Sequence, residues 1–219
     1  MIAQSGKMLG GAATLRPTGR DVHMDPQKLN LRFKGQRSYI QGPDIFNAAT
    51  RILNVADAEA WISMLAFRRF ARLDCDLVLA KPQADAHTVA QGFVNNSGGK
   101  RPFWIVESDR EPGGRYPYDQ DSINALASIE EATICMERRS SFSPMEEIVA
   151  LTKTLSYALS PDIDGKWVFG QINLQRVLPD TFGRLEISRT REMAHRFSIN
   201  RIVIDDLHAG DIRFIVGDP

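Results

Sequence analysis

The sequence contains little cysteine and no long apolar run, and each absence excludes a class of protein. Only two of the 219 residues are cysteines, Cys75 and Cys135, and neither has a His or a second Cys nearby at metal-ligand spacing. We therefore expect no zinc or other metal site, no disulfide scaffold and no cofactor. No stretch approaches the roughly 18 consecutive apolar residues that read as a membrane span.

An excess of charge of either sign is also missing. Lys plus Arg number 27 and Asp plus Glu number 27, so the formal net charge is zero. This balance gives no global attraction to nucleic acid or to anionic lipid. The first 28 residues lack the apolar segment of a signal peptide and are expected to form a flexible arm. We predict a cytoplasmic protein with neither a nucleic-acid nor a membrane partner.

Two stretches of the chain resemble each other in sequence. RSYIQGPDIFNAATRIL, which begins at Arg37, aligns with RSSFSPMEEIVALTKTL, which begins at Arg139. Further matches follow at offsets that grow in small steps, ending with Ile105 and Val106 against Ile215 and Val216. Because helix, strand and turn signals also come in the same order, the pattern favours an internal duplication. The alternative is a coincidental run of similar α+β elements.

The duplication predicts four segments. They are an arm over residues 1–28, a first unit over 29–110, a linker over 111–131 and a second unit over 132–219. In each unit a strand-like segment precedes an amphipathic helix, and about four strands follow, the last two as a hairpin. Ser143, Pro144 and Glu146 form a capping-box pattern with proline at the first helical position, so the second helix is predicted to begin there.

Four segments carry a resemblance to a known family. ISMLAFRRFARLDCDLVLA and RVLPDTFGRLEIS look like the hotdog strand pair in which one strand runs through a turn into the next, and the first of them has arginines before an Asp-containing turn. The hairpins around NNSGGK and DDLHAG look like the last two hotdog strands. The pattern resembles the hotdog superfamily over roughly residues 31–107 and 133–217. It implies an α+β fold of two tandem hotdog-like units, each an antiparallel sheet wrapped round one central helix.

The resemblance also implies a function. Hotdog proteins commonly bind acyl thioesters on coenzyme A or acyl carrier protein, in a tunnel between paired units where helix amides polarise the thioester carbonyl. It implies an acyl-thioester processing protein, thioesterase-like or dehydratase/hydratase-like, with its site between the two halves. The alternative is a non-catalytic double hotdog that binds an acyl ligand or a protein partner. Exposed sheet edges favour a homodimer.

The chain departs from the hotdog dehydratases at one position. Those enzymes use a His just ahead of the central helix, whereas RSYIQGPD and RSSFSPME contain none. We therefore predict Asp44 and Glu147, in the first helical turns, as catalytic carboxylates acting as general base or nucleophile. The alternative role is structural, because acidic residues there complement the helix dipole.

The predicted substrate-binding residues lie close to these carboxylates in sequence. A carrier phosphate is expected to contact arginines at matched positions of the two copies, although solvated strand arginines are the alternative. The pocket itself is expected to be lined by polar residues around the first helix start. The full set is Arg37, Arg139, Tyr39, Gln41 and Asn47.

Overall fold

The computed structural model describes residues 25–84, 86–137, 140–193 and 196–218. Within these ranges the chain forms two long helices, α1 (Gly42–Ala56) and α3 (Pro144–Leu159), and a short helix α2 (Asp121–Asn124). The strands are β1 (Gln27–Lys28), β2 (Phe33–Lys34), β3 (Trp61–Phe67), β4 (Cys75–Val78), β5 (Thr88–Asn96), β6 (Gly99–Glu107), β7 (Arg115–Tyr116), β8 (Ala127–Glu130), β9 (Thr133–Met136), β10 (Lys166–Leu174), β11 (Leu185–Met193), β12 (Phe197–Ile204) and β13 (Leu207–Gly217). No helix in these ranges is both long and apolar enough to cross a membrane.

Both long helices begin just before Asp44 and Glu147, which the sequence predicts to lie in first helical turns. Pro43 lies in the first turn of α1, where its fixed φ suits the helix and its missing N–H is not needed. The capping box of α3 is confirmed, because the Ser143 hydroxyl accepts from the Glu146 N–H at 3.3 Å and the Glu146 carboxylate accepts from the Ser143 N–H at 2.9 Å. Each helix buries an apolar stripe, which includes Ile45 in α1 and Ile148 in α3.

Eleven of the described strands form one antiparallel sheet. Their order is β1-β4-β6-β5-β3-β10-β13-β12-β11-β9-β8. The pairing of β3 with β10, which places Leu65 opposite Ile172, joins the first half of the chain to the second. The helix α1 packs on β3 and on α3, and α3 packs on β9 to β13. This arrangement, one large antiparallel sheet with few helices, confirms the predicted α+β class.

The two halves differ in the order of their last strands. In the first half β5 lies beside β3 and β6 beside β4, whereas in the second half β13 lies beside β10 and β12 beside β11. Ile105 therefore pairs with the strand β4, and its predicted match Ile215 pairs with β10. The predicted match is wrong for this hairpin, because the hairpin enters the two halves of the sheet in opposite orders. The duplication itself stays a prediction.

The segment predicted as a linker, residues 111–131, contributes to the fold. Its β7 pairs in parallel with β2, and its β8 extends the sheet beside β9. It also contains the short helix α2. Residues 27–28 of the predicted arm pair with β4, while residues 1–24 lie outside the described part of the chain. The first half of the sheet therefore begins two residues before the predicted unit.

Candidate functional site

An apolar cavity lies where the two halves of the chain meet, beside the start of α1. Its enclosed volume is about 120 Å³, and it opens to solvent on one side. Its apolar wall comes from both halves and includes Ile45, Phe67, Val149, Trp167, Phe169 and Phe214. Phe67 and Phe169 meet edge to face, with their ring centroids 5.0 Å apart. The wall suits an aliphatic or aromatic group.

Gly42 lets the start of α1 reach this aromatic wall. A Cβ at this position would lie 2.6 Å from Cδ1 of Phe169 and 3.1 Å from Cζ of Phe67. Only glycine allows so close an approach without moving a ring. Gly42 is itself part of the cavity lining, so the positive end of the α1 dipole lies at the cavity wall.

The charged residues of the lining are all cationic. Arg37, Arg68, Arg69 and Lys153 line the cavity, and no Asp, Glu or His is among its described lining residues. Arg69 is neutralised by Glu107, with 2.7 Å between its Nη2 and the carboxylate. Arg68 donates to the Gln91 side chain at 2.8 Å. The cavity therefore carries positive charge that its own lining does not balance.

Among these four cations, Lys153 has the fewest interactions with the described residues. It makes neither a hydrogen bond nor an ion pair with any residue that the structure describes. Burial, followed by repulsion from Arg37 and Lys166, lowers the pKa of Lys153 to about 8. An opposite charge beside this amine would stabilise its protonated form.

Two further donors of the lining also lack acceptors. The Gln41 Nε2 and the Trp167 Nε1 are buried and have no hydrogen-bond partner among the described residues. Trp167 is only 2% exposed. Because buried donors are nearly always hydrogen-bonded in native proteins, these two groups need an explanation. A ligand with acceptor oxygens would supply one.

The predicted substrate-binding residues fall into two groups. Arg37, Tyr39 and Gln41 line the cavity. Asn47 does not, because its Nδ2 donates to the Ser143 hydroxyl at 2.8 Å and so ties α1 to the start of α3. Arg139 lies outside the described residues.

Asp44, the first predicted catalytic carboxylate, lies in a separate buried group. It accepts a hydrogen bond from the Tyr116 hydroxyl at 2.8 Å and pairs with Lys34 at 3.3 Å. Lys34 is 2% exposed and also pairs with Glu146, and its ammonium lies 4.1 Å from the centre of the Tyr118 ring. We call these five residues the helix-start cluster. The cluster joins the first turns of α1 and α3.

The two carboxylates of the helix-start cluster titrate in opposite directions. Burial raises the pKa of Asp44 despite the nearby Lys34 and Tyr116. Burial acts in the same direction on Glu146, but its bonds with Lys34 and Ser143 outweigh that effect and leave its pKa below the usual range. Glu146 is therefore the main counter-charge of Lys34, and Asp44 is the carboxylate that takes up a proton first.

Glu147, the second predicted catalytic carboxylate, is fully buried. One of its oxygens accepts from the backbone N–H and from the hydroxyl of Ser140, at 2.7 Å each. It thus fixes the segment that enters α3. Neither Asp44 nor Glu147 is among the residues that line the cavity.

Sequence reasoning missed several residues of both regions. Lys153 follows Val149 by four positions on α3, so helical periodicity could have placed it on the cavity side. Lys34 and Tyr116 meet through the parallel pairing of β2 with β7. No local sequence pattern predicts that long-range contact.

No known family matches the sequence, and no curated protein matches it significantly. Solved structures of dehydratase domains and of a thioesterase are similar to the chain at low identity. The dehydratase domain of PpsC from Mycobacterium tuberculosis, in complex with C12:1-CoA, has 12% identity and a TM-score of 0.46, over 82% of this chain and 85% of that one. A putative thioesterase II from Thermobifida fusca has 12% identity and a TM-score of 0.44, over 83% and 89%. The dehydratase domain of RzxB from Pseudomonas fluorescens has 10% identity and a TM-score of 0.43, over 92% and 90%.

Proposed function

We propose that this chain binds an acyl thioester, carried by coenzyme A or acyl carrier protein, in the cavity between its two halves. The observation that carries the proposal is the cavity itself, apolar on its walls and cationic in its charged lining. The acyl chain packs against the aromatic wall formed by Phe67 and Phe169. The thioester carbonyl accepts from donors at the start of α1, where the helix dipole is positive. Arg37 contacts the phosphate of the carrier.

Under this proposal Asp44 or Glu147 acts as the base that makes the chain a thioesterase or a dehydratase. A second candidate function is binding without turnover. One observation favours it, since the described cavity lining contains no carboxylate and no His that could move a proton. Both versions keep the two halves as products of a duplication, which is supported by a helix followed by four strands in each half.

Mass spectrometry on protein incubated with saturated, 3-hydroxy and 2-enoyl CoA thioesters tests the proposal. Free acids identify a thioesterase, and loss or gain of water identifies a dehydratase or hydratase. Retained thioester without conversion supports binding alone. If the protein neither converts nor retains any thioester, the thioester proposal is overturned.

The variants Asp44→Asn and Glu147→Gln separate the catalytic version from the binding version. If either carboxylate is the base, turnover falls at least about 100-fold in that variant while thioester retention is unchanged. Circular dichroism on the same samples controls for folding. Turnover that survives both substitutions excludes both carboxylates as the base.

A further inference from the structure

Three residues that line the cavity carry donors for which the described residues supply no acceptor. The Lys153 ammonium, the Gln41 amide and the Trp167 indole N–H belong to its lining, and none has a hydrogen-bond acceptor among the described residues. They come from three separate elements, namely α3, the residue before α1 and β10. Donors without acceptors, one of them charged, indicate a ligand group that is anionic and rich in oxygen.

The burial of these donors distinguishes a carboxylate from a phosphate. The Gln41 and Trp167 nitrogens are buried, and Lys153 is itself half-buried. A carrier phosphate is attached to a bulky polar group that stays near the cavity mouth. A carboxylate at the end of an alkyl chain is small enough to lie beside buried donors while the chain contacts the aromatic wall.

We propose that the cavity also binds a free aliphatic carboxylic acid as its carboxylate, which is held by Lys153, Gln41 and Trp167 with the alkyl chain against Phe67 and Phe169. This activity goes beyond thioester binding, because it requires neither a carrier nor turnover. It makes the free acid a ligand of the protein in its own right.

The proposal predicts a pH dependence. Arg37 from the segment before α1 and Lys166 from β10 repel Lys153. The cavity lining adds Arg68 and Arg69 from the segment after β3, and Arg69 pairs with Glu107. Apart from Glu107, all of these groups are cations. Because the pKa of Lys153 is lowered to about 8, the fraction of protein with a charged amine falls as pH rises through that value. The affinity for a carboxylate therefore falls about tenfold between pH 7 and pH 9.

Calorimetric titration with decanoate and decanol, which have the same chain length, tests the proposal. At pH 7 we expect the protein to bind decanoate at least tenfold more tightly than decanol. Lys153→Met removes that preference and leaves the affinity for decanol within twofold. Lys81→Met is the matched control, since Lys81 is exposed and outside the cavity lining, and it changes neither affinity.

A second variant guards against a folding defect. Lys153→Arg keeps the positive charge but does not titrate below pH 12, so it retains the decanoate preference and loses the change between pH 7 and pH 9. The proposal is overturned if the native protein binds neither ligand at millimolar concentration, or if Lys153→Met binds decanoate as tightly as the native chain does.

The outcome is independent of the thioester proposal. Decanoate binding that depends on Lys153, together with no retention or conversion of CoA thioesters, supports this inference and rejects the proposed function. If the protein retains thioesters but shows no preference for decanoate over decanol, the proposed function is supported and this inference is rejected.

Discussion

The cavity and the helix-start cluster both lie near the first turn of α1, and their cations are partnered differently, although Asp44 Oδ2 of the cluster also lacks a partner among the described residues. In the cluster, Lys34 has two carboxylates as partners and Tyr116 donates to one of them. In the cavity, Lys153 and the Trp167 indole have no acceptor among the described residues. Burying a polar group without a partner costs free energy. The ion pairs of the cluster therefore stabilise the fold, whereas the donors of the cavity still lack acceptors.

This difference predicts that the cluster determines stability and that the cavity determines ligand binding. Substitutions in the helix-start cluster should change stability and leave ligand binding alone. Substitutions in the cavity should change ligand binding and leave stability nearly alone. The predictions below test that separation, beginning with the largest expected effect.

Replacing the central cation of the cluster should have the largest effect. Lys34→Met leaves the buried carboxylates Asp44 and Glu146 without their partner, so we expect the free energy of unfolding to fall by about 3–5 kcal/mol. Urea denaturation at pH 7 measures this loss. The triple variant that adds Asp44→Asn and Glu146→Gln to Lys34→Met also removes the two unpaired carboxylates. It should regain most of the lost free energy of unfolding.

An exposed lysine provides the control for that experiment. Lys28 lies on the short strand β1 with its side chain exposed. Lys28→Met should therefore change the free energy of unfolding by no more than about 0.5 kcal/mol. A loss below about 1 kcal/mol in Lys34→Met would show that the cluster is not a buried ion pair.

The two carboxylates of the cluster should respond to pH with opposite signs. The pKa of Glu146 is lowered on folding, so its contribution to stability is present at pH 7 and is lost as pH falls through its folded pKa. The pKa of Asp44 is raised, so its ionised form weakens the fold at neutral pH. At pH 7 we expect Glu146→Gln to lose about 1.5–3 kcal/mol and Asp44→Asn to lose little or to gain.

Urea denaturation from pH 3 to pH 7 measures both effects. The deficit of Glu146→Gln relative to the native chain should shrink as pH falls, and any advantage of Asp44→Asn should shrink with it. If Asp44→Asn loses as much stability at pH 7 as Glu146→Gln does, the opposite titration of the two groups is wrong. Unchanged decanol affinity in both variants would confirm that the cluster is separate from the cavity.

Narrowing the cavity should weaken binding without much loss of stability. In Gly42→Ala the added Cβ would lie 2.6 Å from Phe169 Cδ1, so the ring must move. We expect the affinities for decanoate and decanol to fall together by about tenfold, with at most about 1–2 kcal/mol lost in stability. Calorimetric titration and urea denaturation measure the two quantities.

Gly113→Ala is the control for this substitution, because the nearest atom to its new Cβ would be 3.6 Å away. It should alter neither affinity. Affinities within twofold of the native values in Gly42→Ala would mean that the ligand does not contact this wall.

The fold was predictable from local patterns to a greater extent than the site was. Apolar periodicity, with Pro43 and Ser143 at the helix starts, located both long helices, and the polar turns NNSGGK and DDLHAG located the two closing hairpins. The order of those hairpins in the sheet depends on long-range pairing, which sequence periodicity does not encode.

The candidate site was predictable only in part, for a related physical reason. Arg37, Tyr39 and Gln41 were found because they precede a helix start that the sequence marks clearly. Acidic residues in a first helical turn fit both catalysis and capping. Asp44 is bound by Tyr116 through a contact between residues 72 positions apart. The chemistry of such a residue is set by partners that a local pattern does not show.

The smallest effect is expected from the Trp167 indole. Trp167→Phe keeps an aromatic ring in the wall and removes the N–H that has no acceptor, so we expect decanoate to bind about threefold more weakly. Stability should change by no more than about 1 kcal/mol, because loss of the unpartnered donor offsets the lost ring contacts. Trp61→Phe is the control, since Trp61 lies outside the cavity lining. Equal decanoate affinity in Trp167→Phe and the native chain would remove the indole from the carboxylate site and leave Lys153 and Gln41 as its donors.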